Sequence, residues 1–330
     1  MAYKAFNPDF TCKGKQYEEN TTYEENGNEI CEAGVMHYCE NPFDVLDYYP
    51  LVNENGEISE FAEVEPLGKV FKRENKCATN KLHIKAKLGL KGFIKACVDF
   101  TLEKTKIEEI EDGIENDNGN NSAQIGSSGD YAQIGSSGDY AKIGSSGYSA
   151  QIGSSGDSAQ IGSSGDYAKI GSSGYSAKIG SSGDSAQIGS SGDYAKIGSS
   201  GYSAQIGSSG DSAQIGSSGD SAQIGSSGDY AKIGSSGYSA KIGSSGYYAQ
   251  ITSKGKHSVV MAAGYQSQAK AKKGSWITLA EWVRTDDEDG KGFCIWIPKC
   301  VKTEYVDGER IKEDTFYKLV DGEFKEVEEN

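Results

Sequence analysis

From Ile125 to Ile251 an isoleucine returns every nine residues, fifteen times with no insertion, and Val260 keeps the phase. Nothing else in the chain limits its fold as tightly, because unbroken self-similarity at a fixed period marks a stacked repeat architecture. Each unit reads Ala, Gln or Lys, Ile, Gly, Ser, Ser, Gly and then two variable places. Ala and Ile lie two apart, so an extended strand turns both to one side and Gln or Lys to the other. A helical period would instead walk the isoleucines around a cylinder. The glycines are expected to supply the positive-φ corners of a coil. A strand this short cannot bury its isoleucine alone. Stacked about 4.8 Å apart, such strands join their isoleucines into a ladder and pair the backbone between coils. The simplest geometry has two units per turn and predicts a β-solenoid of about eight coils, roughly 40 Å long. A Gly/Ser linker shares the composition but has no reason to hold isoleucine in register.

The variable places carry a second period. From Asp139 to Ser212 the pairs Asp-Tyr, Tyr-Ser and Asp-Ser run three times, a 27-residue super-repeat that slips by one unit at Asp220-Ser221. The slip favours duplication of a three-unit block over a three-unit coil. The tyrosines Tyr131, Tyr140, Tyr148, Tyr167, Tyr175, Tyr194, Tyr202, Tyr230, Tyr238 and Tyr247, with Tyr248 beside the last, are the candidate binding residues of the repeat surface. Aligned aromatic rings suit a protein interface. Calcium-binding nonapeptides are disfavoured, because Asp falls one place early, Ile one place late, and Tyr148, Tyr175, Tyr202, Tyr238 and Tyr247 stand where Asp would be needed. A flat threonine array for ice is excluded, since no threonine occurs from 123 to 251.

The net charge of −15 belongs to the ends: −10 over residues 1–120, −1 over 121–256 and −4 over 257–330. A phosphate backbone needs a basic footprint, so direct nucleic-acid binding is not expected, and the near-neutral rod is a poor mimic of DNA. Seven cysteines and an N-terminus, MAYKAFNPDF, without a basic or apolar run predict a cytosolic protein with reduced thiols. No stretch has the apolar length of a membrane span.

These observations divide the chain into an acidic α+β domain (1–120), the repeat solenoid (121–256) and a C-terminal cap (257–330), a mainly β protein overall. In the first domain 61–72 and 81–88 alternate like strands, and 92–112 reads as a helix with Ile94, Val98 and Leu102 on one face. The acidic stretch before Asn121 is expected to cap the rod. At the other end Trp276, Leu279 and Trp282 are expected to plug the core, and Asp307-Gly308 and Asp321-Gly322 to turn hairpins. Cys12, Cys31, His37 and Cys39 are a candidate Cys₃His zinc set, although Cys31 and Cys39 are too far apart for the usual tight pair. A Cys–His nucleophile there lacks an orienting third group. No other cofactor is expected.

Three stretches, YKAFNPDFTCKGKQY (3–17), CEAGVMHYCENPFDVLDYY (31–49) and SVVMAAGYQSQAKAKKGSWITLAE (258–281), together with DGERIKEDTFYKLVDGEF (307–324), resemble a family of uncharacterised phage- and prophage-encoded proteins. Those proteins carry nonapeptide repeats between a Cys-rich N-terminal domain and a characteristic tail. The resemblance covers nearly the whole chain and implies synthesis in the host cytoplasm. It brings no activity and no catalytic residues. Where that pattern has Gly-Phe-His before the second cysteine, Val35-Met36-His37 stands here.

No His, Cys, Glu or Arg occurs from 123 to 251, so the array has no catalytic groups. The leading expectation is therefore a non-enzymatic interaction protein, in which a rigid rod and an acidic head engage a host protein such as a defence factor. The alternative is a self-associating, trimeric fibre or appendage of the virion. A further alternative is an enzyme, since AYKAF followed by GVMHYCENPFDVLDYY resembles the strand-plus-helix layout of ADP-ribosyltransferase-like folds. No arginine-serine-glutamate set supports it, and the first 72 residues hold no arginine.

Overall fold

The computed structural model describes residues 1–27, 29–30, 34–73, 75–105, 114–117, 121–285 and 295–327. The repeats form a β-solenoid of about nine turns over residues 124–279. Each unit gives one four-residue strand, Gln/Lys-Ile-Gly-Ser, and strands 18 residues apart pair in parallel, Ile125 beside Ile143 and Ile134 beside Ile152. Two units therefore make a turn, and alternate units build two facing sheets. Isoleucine and the following serine face inward, while Gln/Lys and the first glycine face out. Alanine closes the corner, fully buried from Ala141 to Ala249.

The corners are not made by glycine. Positive φ falls on the second variable residue of every unit, for example Tyr131 (φ 61), Ser149 (φ 56) and Tyr167 (φ 56), and on no repeat glycine. This left-handed conformation is uncommon for non-glycine residues. Each such residue donates its N–H to a carbonyl of the next coil, as Tyr131 does to Tyr148 at 2.7 Å and Ser149 to Asp166 at 2.8 Å. The second glycine has a different task. A Cβ on Gly201 would lie 1.9 Å from the carbonyl oxygen of Gly183, one turn earlier, and the same clash recurs up the stack. Only a residue without a side chain lets the coils close to strand spacing. The aspartates of the first variable place are structural too. Asp130 accepts the N–H of Tyr148 at 2.8 Å, Asp184 that of Tyr202 at 2.7 Å, and Asp229 that of Tyr247 at 2.7 Å.

The inward serines are less well served. Oγ of Ser163, Ser181 and Ser199 is buried without a hydrogen-bond partner among the described residues. A buried unpaired hydroxyl costs about 1–3 kcal/mol. Ser181→Ala is accordingly expected to raise stability by about 1 kcal/mol, read as a higher denaturant midpoint at unchanged slope; a lower midpoint would mean that the hydroxyl is satisfied.

The N-terminal domain holds a four-stranded antiparallel sheet in the order Ala2–Phe6, Glu60–Pro66, Lys81–Lys87, Thr21–Glu24, and a second sheet of Met36–Tyr38, Lys76–Thr79 and Val70–Arg73. Its helix, α1, runs Gly89–Lys104, starting before the expected Gly92 and ending at Thr105, whose backbone is extended (ψ 97). Phe93 stacks on Phe61 at 3.7 Å, which fixes α1 to the sheet. The acidic stretch lies largely outside the described residues, but Ile114–Asp117 pairs in parallel with Gln133–Ser136 and so extends one sheet at its N-terminal edge.

The coil geometry carries past residue 256. Val259–Ala262, Gln268–Ala271 and the start of Trp276–Thr285 stack in order. Trp276 does not plug the core as expected. It pairs with Val259, at the outward position, and is 47% exposed. The plug is Ile277 and Leu279 with Val306, Ile311, Tyr317 and Leu319. Trp282 also lies outside that core, donating Nε1–H to the Ala263 carbonyl at 2.9 Å. Asp321-Gly322 turns a hairpin between Tyr317–Val320 and Glu323–Glu326. Asp307-Gly308 does not; Asp307 instead accepts the N–H groups of Glu309 and Ile311 and holds a loop.

Candidate interaction surface

The two solenoid sheets present the same outward stripe of Gly and Gln/Lys, and the described residues of the N-terminal domain cover one of them. On the covered sheet α1 lies in the glycine groove, antiparallel to the coil order. Thr105 meets Gly126, Thr101 and Val98 meet Gly162, Ile94 meets Gly198 and Leu90 meets Gly216. Sixteen helical residues span about 24 Å, and five coil steps span about the same, so helix and groove are matched in length. The polar column beside the groove fixes the register. Gln160 accepts from Asn41 and donates to Asp44, Gln214 accepts the N–H of Leu51 at 2.8 Å, and buried Lys178 pairs with Asp47 at 2.6 Å. Burial raises the Asp44 carboxyl above the usual range and lowers the Lys196 ammonium. Between residues 124 and 259 the covered sheet carries Lys142, Lys178, Lys196 and Lys232 in this column, the open sheet only Lys169 and Lys241. The acidic head thus spends carboxylates on its own rod.

Among the described residues nothing covers the open sheet in this way. A Cβ at Gly153, Gly171, Gly189, Gly207 or Gly225 would meet nothing within 4 Å. The stripe forms an elongated groove of about 1440 Å³ from Gln133 to Met261. At its C-terminal end polar residues give way to an apolar platform. Val259 is followed in register by Trp276 and Tyr305, with Met261 on the same face beside Val259 and Val301 beyond the Thr278–Thr303 pair, at exposures of 42–57%. The Trp276 and Tyr305 rings pack against each other, tilted by 57°, with centroids 5.1 Å apart. Apolar groups gathered on one exposed face mark an interaction site more often than scattered ones do.

The tyrosines fall on two edges of the rod. Tyr131, Tyr148, Tyr167, Tyr202 and Tyr238 lie on corners entering the open sheet; Tyr140, Tyr175, Tyr194, Tyr230, Tyr247 and Tyr248 lie on corners leaving it. A 27-residue pattern wound on an 18-residue turn cannot align them in one column. They meet as short groups: Tyr131–Tyr148–Tyr167, Tyr175–Tyr194, and Tyr230–Tyr248–Tyr265 with Trp296. The sequence missed the apolar platform, since Val259, Met261 and Trp276 become neighbours only once the coil register is known.

In the head, Cys12, His37 and Cys39 line one cavity, while Cys31 lies outside the described residues. The three do not converge, and among the described residues no cluster of His, Cys, Asp or Glu is arranged to hold a metal. His37 Nε2 bonds to the Ile30 carbonyl at 2.6 Å, and burial lowers its pKa. Cys12 Sγ accepts from the Tyr49 hydroxyl at 3.1 Å. Burial, with Asp44 nearby, pushes the Cys39 thiol up to about 12, the reverse of what a thiolate nucleophile needs. No helix among the described residues is long and apolar enough to cross a membrane.

Residues 1–96 match the model of a domain of unknown function, DUF7666. No curated protein and no solved structure matches the chain.

Proposed function

We propose that this chain is a non-enzymatic interaction protein whose open solenoid face receives an amphipathic helix of a partner protein. The observation that carries the reading is that the equivalent face of the same solenoid is filled by a helix, α1, seated in the same glycine groove. The open face repeats the same glycine column at the same coil spacing, with an apolar platform at one end for a larger side chain. A helix with Ile, Leu, Val or Thr three and four residues apart fits it. In the phage setting that the sequence resemblance implies, the partner is a host factor in the cytoplasm, inhibited by occupancy.

The test places a photo-crosslinking amino acid at Gly189, on the open face, or at Leu67, exposed on the head, in the full chain expressed in the host. A single foreign protein captured from Gly189 and not from Leu67, and lost when Gly171→Trp is added, is the expected result. Capture of the chain by itself, with a trimer in light scattering, would replace this reading with the fibre. The edge strand Ile295–Tyr305 offers that route a sheet contact, although Pro298, Lys299 and Lys302 are residues that blunt edge pairing. Capture of nothing from Gly189 would defeat both.

A further inference from the structure

The strand Ala2–Phe6 is buried along its whole length, Lys4 included at 6% exposure. Its neighbours Tyr3 and Ala5 join the core against α1, while Ala2 and Phe6 join the second core. Lys4 shares the side of that second core and lines a cavity of about 430 Å³, together with Cys12, Tyr17, Met36, His37 and Tyr49. That volume is in the range of small-molecule sites.

The Lys4 ammonium donates to the His37 carbonyl at 3.0 Å and sits 5.5 Å from the Phe6 ring centroid and 5.7 Å from that of Tyr17. These contacts all favour the charged form. Yet among the described residues no carboxylate lies within ion-pair distance of Lys4, and burial lowers its pKa. Among the described residues one carboxylate lines the cavity, Glu25, and it is already held by Lys15 at 2.6 Å. Lys13, exposed, and Lys76, over the Tyr48 ring at 4.7 Å, add two more cations around the opening. In a region of net charge −10, this cavity gathers, among the described residues, four lysines against a single acid. With the His37 carbonyl and the Cys12 sulfur as its partners, the buried ammonium has one donor left. Removing a charge from water without a counter-ion is costly, and an anion bound at Lys4 would offset that cost.

We propose that this cavity binds a small aromatic anion, its ring among the tyrosines and its carboxylate or phosphate on Lys4. The site is separate from the open solenoid face and does not depend on it.

The chain has three methionines, Met1, Met36 and Met261, so methyl-labelled full-length protein gives three resonances that report separately. Met36 lines the cavity and is 2% exposed, whereas Met261 sits on the open groove. Benzoate, phenyl phosphate, adenosine 5′-monophosphate, inorganic phosphate and benzyl alcohol are titrated in turn. The expected result is a saturable shift of Met36, with Met261 unmoved, for at least one aromatic anion; benzoate, phenyl phosphate and the nucleotide distinguish carboxylate, simple phosphate and nucleotide sources. Benzyl alcohol is expected to bind at least about tenfold more weakly, and Lys4→Met to lose at least about tenfold in affinity for the anion while keeping a dispersed Met36 resonance. The comparison of anion with alcohol decides on the wild-type chain alone should Lys4→Met not fold. The proposal is overturned by no saturable Met36 shift with any aromatic anion, by inorganic phosphate binding as tightly as phenyl phosphate, or by equal binding of the alcohol.

Discussion

Gly201→Ala will unfold the middle of the solenoid, and Gly189→Ala, twelve residues earlier in the same tract, will not. In the first case the new methyl carbon falls 1.9 Å from the Gly183 carbonyl oxygen, a backbone atom that can withdraw only by opening the coils. A loss of more than about 4 kcal/mol is expected, among the largest single-residue effects. In the second case the methyl projects into open space from a strand, and alanine restricts the unfolded chain more than glycine does. A gain of up to about 1 kcal/mol is expected. Thermal and denaturant melts of the two variants decide the matter. Equal destabilisation would mean that the glycines serve local flexibility and not coil contact.

Gly162→Trp against Gly171→Trp separates the covered groove from the open one. A Cβ at Gly162 would lie 3.2 Å from the Val98 Cα and from the Thr101 side chain, so an indole there must drive α1 off the solenoid. Because α1 also carries Phe93 into the head core, the loss is expected to reach about 3 kcal/mol and to make the head sensitive to protease. Gly171→Trp meets nothing and is expected to change stability by no more than about 0.5 kcal/mol. If both variants keep a protected head, α1 does not depend on the groove.

The solenoid was legible because isoleucine alone states the period, and two facing strands are the shortest closed circuit that can bury it. The roles of the two repeat glycines were not. Both are Gly in the one-letter pattern, and only the 18-residue register separates one that touches a carbonyl from one that faces a helix or nothing. Trp276 looked like a core residue by size, whereas the register gives that place to Ile277. Nothing in the sequence marked Lys4, because its burial depends on the segment 34–39 and Tyr49, which come from elsewhere in the chain to cover its side of the strand. The tyrosines were visible as a set, and their division between two edges followed from a period and a turn that do not share a length.

The head also spans the rod lengthwise. Thr105 meets Gly126 at one end, and at the other Gly56 meets Thr252 while Glu57 pairs with Lys254. These contacts are seven coil steps apart, about 34 Å. The head therefore works as a caliper on a tract that would otherwise be free to drift in length. Loss of one unit would turn the cap by half a revolution and put Thr252's successor on the wrong sheet. Loss of two would keep the sheet but slide the far jaw off its mark by one step. Near-identical repeats invite both kinds of slippage, so the number of units is a measured quantity in this molecule, fixed by parity and by length together.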